Sequence, residues 1–195
     1  YKEFKLAAFY DQPKQHRHVL ATAGGYSAGV FSERHPLPTF QRLTYSRGNV
    51  QTARFSPDGN SVVYGAAWEG DPYAAFAIRL DSRENHPTVA TDAIPLSVSK
   101  SGELALLVGP RATPSWRVEG TLARVPLSGG APREALEKVR WADWAPNGEM
   151  VVVRRGEKGD QLECPVGKTL FQTTGTIRTP RFSPSGDRIA FLHHT

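Results

Sequence analysis

The sequence predicts an all-β chain of repeated four-stranded antiparallel units, and three observations carry that prediction. Eighteen glycines and fifteen prolines stand against a single methionine, with few long helix-forming runs, which is the composition of many short strands joined by tight turns. Four short segments of one pattern recur along the chain: Arg54-Phe-Ser-Pro-Asp-Gly59, Val98-Ser-Lys-Ser-Gly102, Trp144-Ala-Pro-Asn-Gly148 and Arg181-Phe-Ser-Pro-Ser-Gly186. Their closing glycines are 43, 46 and 38 residues apart, the period of β-propeller blades.

The chemistry of each segment makes it a hairpin tip. Proline at the first central position of a type I turn presets φ, Asp or Asn at the next accepts local backbone hydrogen bonds, and glycine takes the left-handed position that closes a bulged hairpin. An apolar second strand follows each tip: Val62 to Tyr64, Leu104 to Val108, Met150 to Val153, and Ile189 to Leu192. Third strands are expected at 74–80, 120–127 and 161–166, and shorter fourth strands at 88–90, 133–136 and 169–172. These make three full units over about 50–173 and a half unit ending at Thr195. Tips are expected at 56–59, 99–102, 145–148 and 183–186, within a repeat region 40–195. Residues 40–44 read as the last strand of a preceding blade, and 1–39 as an extension or degenerate blade. Propellers close with four or more blades because each blade buries its faces only against neighbours. Three and a half to four blades therefore imply a partial ring, completed by further chain, by the N-terminal strands or by a second copy in a homodimer.

Composition excludes several function classes. The net charge of +5 is spread along the chain, and its densest spots, Lys14 to His18 and Arg154-Arg155, are too small for a nucleic-acid footprint. No stretch approaches the ~20 apolar residues of a membrane helix, so no membrane insertion by this segment is expected. The lone Cys164 allows no internal disulfide and reads as a core thiol.

Motif-like strings fail on context. Gly25-Tyr-Ser-Ala-Gly29 matches a nucleophile elbow around Ser27, but Pro36 and Pro38 interrupt the helix that an elbow needs. Val166-Gly-Lys-Thr169 lacks the earlier glycine of a phosphate-binding loop, which would fall at Leu162. His16 with His18, and His193 with His194, have no third ligand nearby. No catalytic residue, metal or cofactor is expected. Trp141 and Trp144 sit beside a tip in a patterned strand, where packing between blades is the expected role. Trp68, Glu69 and Tyr73, and Trp116 with Arg117, fall on loops joining second and third strands; these are the candidate contacts for a protein or small-molecule ligand.

The Ser-Pro-Asp-Gly tips with their apolar strands resemble TolB-like propeller repeats of bacterial envelope proteins and of prolyl oligopeptidases. Longer strings, among them Phe40-Gln-Arg-Leu-Thr44, Tyr64-Gly-Ala-Ala-Trp-Glu-Gly70, the run from Gly120 to Glu134, Trp141-Ala-Asp-Trp144 and Leu162-Glu-Cys-Pro-Val-Gly-Lys-Thr-Leu170, are similar to the C-terminal propellers of acidobacterial-type serine/threonine protein kinases. The resemblance covers residues 38–195. It implies a non-catalytic sensor or interaction propeller, extracytoplasmic and membrane-anchored through a preceding segment. The alternatives are the gating propeller of a prolyl-oligopeptidase-type hydrolase, a TolB-like envelope protein, or a cytoplasmic location. The kinase signature motifs themselves are absent from the sequence.

Overall fold

Glycine placed where the chain must turn back left-handed is what separates one strand from the next here. Gly59, Gly102, Gly148 and Gly186 have φ of 72, 78, 87 and 80°. Each N–H donates to the carbonyl three residues earlier: Gly59 to Ser56, Gly102 to Ser99, Gly148 to Ala145 and Gly186 to Ser183, at 2.9–3.0 Å. A side chain adds to the lock at the first tip, where the Ser61 N–H donates to Ser56 Oγ at 2.9 Å.

The computed structural model describes residues 42–81, 85–112 and 118–195. The expectations placed on 1–39, on Phe40 and Gln41, on Ser27, His16 and His18, and on Trp116 and Arg117 lie outside the described residues. The described residues 42–44 are irregular.

Thirteen strands and no helix make up the described residues: β1 Gly48–Phe55, β2 Ser61–Trp68, β3 Ala74–Arg79, β4 Asn85–Thr91, β5 Ala93–Val98, β6 Glu103–Ala112, β7 Val118–Pro126, β8 Arg133–Trp144, β9 Met150–Gly156, β10 Gly159–Glu163, β11 Thr169–Thr173, β12 Thr176–Phe182 and β13 Ile189–His194. All pairings are antiparallel between consecutive strands. They give a four-stranded sheet β1–β4, a seven-stranded sheet β5–β11 and the hairpin β12–β13.

The seven-stranded sheet is two four-strand meanders sharing β8. Residues Arg133 to Leu136 of β8 pair with β7, Val139 pairs with both neighbours, and Trp141 to Trp144 pair with β9. One strand thus ends one meander and begins the next, turning at Lys138 with φ 59°. The junction from β4 to β5 turns at Asp92, also at φ 59°. The short fourth strand expected at 133–136 is the first part of β8, which runs on to Trp144; a single left-handed residue redirects the chain without breaking it. The third strand expected at 161–166 is β10, which begins two residues earlier and ends at Glu163. Beyond it a cis Cys164–Pro165 bond opens a tip closed by Gly167 at φ 92°.

The core lies in layers between successive meanders. Strand alternation sends Leu104 and Leu106 to one face of β6, against Val63, Ala75 and Ala93, while Ala105 and Leu107 pack on the other with Ala142, Trp144 and Val152. β9 repeats this, with Val151 and Val153 meeting Leu162 and Ile177 on the face opposite Met150 and Val152. Both faces of these strands are covered, which is why they read as continuous apolar runs rather than alternating ones. Each fully buried leucine or isoleucine contributes about 1.5–3 kcal/mol. Gly65 shows how closely β2 and β5 approach: a Cβ there would lie 2.8 Å from Pro95 Cδ and 3.2 Å from Ile94 Cγ2.

Candidate functional site

The first strand of each repeat lies beside the first strand of the next: β1 against β5, β5 against β8, and β8 against β12. Each of the four carries a break in register, at Val50/Thr52, Pro95/Ser97, Val139/Trp141 and Arg178/Arg181. Such irregularities bend a strand and re-aim its side chains. Where the four converge they enclose a cavity of about 70 Å³. Gln51 and Thr52 line it from β1, Ile94 and Leu96 from β5, Arg140 and Trp141 from β8, and Ile177 and Arg178 from β12.

Arg140 is the electrostatic centre of the cavity wall, with its side chain only 3% exposed. A guanidinium so far from water needs a carboxylate, and it has two neighbours of that kind. Its Nη1 donates to Asp160 Oδ1, and Asp160 Oδ2 in turn accepts the Ile177 N–H at 3.0 Å. One buried carboxylate in β10 therefore ties β8 to β12. On the other side, Arg140 Nε stands 3.5 Å from Glu119 Oε2 of β7, and neither atom takes part in a hydrogen bond.

Toward the tips, a second charged group spans the same strands. Arg54, Asp143 and Arg181 occupy equivalent places in three repeats, one residue before the tip aromatic. Arg54 Nε donates to Leu96 O at 2.9 Å, Asp143 Oδ2 accepts the Phe182 N–H at 2.9 Å, and Arg181 Nη1 lies 3.7 Å from Asp143 Oδ1. Burial pushes the Asp143 carboxyl up, against the opposing pulls of the Phe182 N–H and the Arg54 guanidinium. Burial likewise lowers Arg54, opposed by Asp143.

Of the loop residues singled out from sequence, Trp68, Glu69 and Tyr73 lie at the end of β2 and in the turn to β3 of the first meander, and none of the three lines the cavity. Gly48, at the start of β1, pairs with Trp68 at the end of β2. Tyr73 bridges two cavity strands: its hydroxyl accepts from Asn49 Nδ2 at 2.8 Å, and its carbonyl accepts the Ala93 N–H at 3.0 Å. Trp68 is half-buried and meets Tyr64 edge-on and Phe76 at a tilt, at centroid distances of 6.3 Å to each. Glu69 is exposed, at φ 51° in a turn closed by the Asp71 N–H on Trp68 O. Trp141 packs against the core layers on both sides of β8 besides lining the cavity. Trp144 is buried under the Arg124 guanidinium, 4.8 Å from the ring centroid.

The remaining motif-like residues have packing roles. The string 166–169 turns the chain between β10 and β11, with the Lys168 N–H donating to Pro165 O at 2.9 Å and the Gly167 N–H to Glu163 Oε2 at 2.9 Å. His193 Nε2 meets Thr173 Oγ1 at 2.9 Å, and its ring stands edge-on to Phe171. Cys164 is half-buried beside the Val151–Val153–Leu162 layer, and burial pushes its thiol up. Among the described residues no group of three His, Cys, Asp or Glu side chains is placed to hold a metal ion.

Sequence reasoning missed Arg140, Glu119 and Asp160, which meet across three strands. One signal was available: in β10 Asp160 shares its inward face with buried Leu162, so alternation alone marks a carboxylate turned into the core.

No protein-family model matches the chain, and no curated protein matches it by sequence. Solved structures do resemble it. TolB from Acinetobacter baumannii aligns with a TM-score of 0.53 at 13% identity, over 78% of this chain and 45% of TolB. An oligogalacturonate lyase in complex with manganese aligns with a TM-score of 0.51 at 16% identity, over 78% of this chain and 49% of the lyase. A prolyl endopeptidase aligns with a TM-score of 0.48 at 16% identity, over 67% and 23%. The chain thus spans half the length or less of each of these proteins. TolB and the lyase contain β-propeller domains, and the strand order and between-sheet core described above are those of β-propeller blades.

Proposed function

We propose that this chain is a non-catalytic binding module, the blade-bearing part of a TolB-like propeller, whose ligand is taken at the cavity where the first strands converge. The observation that carries the reading is Arg140, a buried cation held in the cavity wall by Asp160, with Trp141 lining the same cavity. Charged, polar and aromatic groups converging on a concave site are the groups by which a binding pocket orients its ligand. The sequence candidates Trp68, Glu69, Trp116 and Arg117 are kept in this reading as further contacts for a protein or small-molecule ligand. The likeness to TolB supports a TolB-like propeller, and an extracytoplasmic place belongs to the same reading. The finer assignment, the sensor portion of a receptor-like bacterial protein kinase, rests on the strings from Phe40 to Leu170. The hydrolase-gating alternative predicts the same blades before a catalytic domain.

Two measurements separate these. The coding sequence around the chain should carry a kinase domain and a membrane helix upstream for the sensor reading, or a hydrolase downstream for the gating reading. Robust ester or peptide hydrolysis by the purified chain, abolished by Ser27→Ala, would overturn the binding-module proposal altogether. Light scattering reports whether two copies associate, as completion of a partial ring by a homodimer requires.

A further inference from the structure

We infer that the cavity takes an organic monocarboxylate, one carboxylate on an apolar body, with Arg178 as its counter-ion. This rests on the binding-module reading and names the ligand chemistry of the same site.

The bulges decide which side chains reach the cavity. In β1, Val50 and Thr52 pair with the consecutive residues Ala66 and Gly65, so Gln51 is the extra residue. By the same count Leu96 is extra in β5 and Arg140 in β8. All three line the cavity, as expected where a bulge re-aims a side chain. In β12 the irregularity lies between Arg178 and Arg181, with Thr179 at φ 46°, and Arg178 at its edge joins the same lining.

The charge of the cavity follows from that lining, which holds two arginines and no carboxylate. Arg140 is answered from outside it, by Asp160 at Nη1 and by Glu119 3.5 Å from Nε. Arg178 is exposed and has no ion pair or hydrogen bond among the described residues. One uncompensated positive charge therefore faces the cavity, which selects a monoanion over a neutral group or a cation. The guanidinium fork fits the two oxygens of a carboxylate with parallel N–H bonds. Gln51, also exposed, adds a neutral amide donor from β1. Trp141 and Val118, both partly exposed, offer apolar surface to the body of the ligand.

The test titrates the whole chain with 3-phenylpropionate and with N-acetylphenylalanine, whose carboxylate is that of a peptide C-terminus, read by calorimetry and saturation-transfer NMR. Controls are 3-phenylpropionamide, 2-phenylethylammonium and inorganic phosphate. Binding of one or both carboxylates at millimolar concentrations is expected, the two arms separating a free acid from a chain terminus. Arg178→Gln should weaken that binding about tenfold, the scale of one hydrogen bond to a charged group, with an unchanged melting temperature because the side chain is exposed. Should that variant fold poorly, the salt dependence of the parent decides: binding should weaken several-fold as the screening length falls from about 10 Å at 0.1 M to about 3 Å at 1 M. Silence of both carboxylates on the folded protein overturns the proposal, as does binding of the amide, the ammonium or phosphate as tight as theirs. Undiminished binding by a folded Arg178→Gln, or binding indifferent to salt, overturns it equally. Turnover of an ester or peptide by the same sample sinks the binding-module reading instead, and the titration still decides the carboxylate.

Discussion

Replacing Asp160 with alanine removes the only hydrogen-bonding partner of the buried Arg140 guanidinium among the described residues and orphans the Ile177 N–H together. Both side chains of the pair are at most 3% exposed, so water does not compensate. Breaking a buried ion pair from one side typically costs about 3–5 kcal/mol, against a total stability of about 5–15 kcal/mol for a domain. With a urea m-value of about 2 kcal/mol per molar, a loss of about 4 kcal/mol moves the unfolding midpoint down by about 2 M. Circular dichroism across a urea gradient measures this. Asp160→Asn keeps an acceptor for Ile177 and should fall less. The double change Arg140→Leu with Asp160→Leu should recover much of the loss, because replacing a whole buried pair by apolar groups is often neutral. A midpoint for Asp160→Ala within about 0.5 M of the parent, or a double variant no more stable than the single one, would refute the account of β8, β10 and β12 as strands tied by one carboxylate.

Other outcomes follow from the same structure. Gly65→Ala drives a Cβ into the rigid Pro95 ring and should destabilise by about 1–3 kcal/mol; a melting temperature equal to the parent's would show that β2 and β5 are not in close contact. Gly102→Ala meets open space but keeps φ near +78°, so its cost should be the left-handed backbone alone, about 1–2 kcal/mol, read by the same denaturation. Because burial raises the folded Asp143 carboxyl above its unfolded value, the native state holds that proton more tightly between the two values. Stability from this group therefore falls as pH rises through that window, and Asp143→Asn should flatten this part of the profile; an unchanged slope in urea midpoints counts against it. At the first tip, the Ser56 hydroxyl holds the exposed Asp58 carboxyl below its usual range, so Ser56→Ala should move its titration upward in carboxyl-resolved NMR, and a titration that stays put removes the hydroxyl as the cause.

The all-β class and the blade repeat were legible in the sequence because they are local. A tip needs only a few adjacent residues, Pro57-Asp58-Gly59 or Pro146-Asn147-Gly148, and φ at glycine is a property of that residue alone. Apolar runs such as Leu104 to Leu107 are equally local statements, since a strand covered on both faces has no polar side to show. The site was another matter. Trp68 is an exposed anchor on sequence and a member of an aromatic cluster with Tyr64 and Phe76 in the fold, because the register of β2 with β3 decides which ring it meets. Tyr73 gained its bridging role only when β1 and β5 came together around it. Lys138 bends β8 from one meander into the next, and nothing in a lysine announces a left-handed φ.

What the sequence by itself determined is the series of turns and strands, each set by the conformational preferences of a handful of neighbouring residues. What only the tertiary structure decided is the convergence of Glu119, Arg140, Asp160 and Ile177 from four strands, beside the cavity that Arg140 and Ile177 line. A charge becomes a site only when burial strips it of water and brings distant partners within hydrogen-bond reach, and that depends on how successive sheets stack rather than on any residue's own propensity.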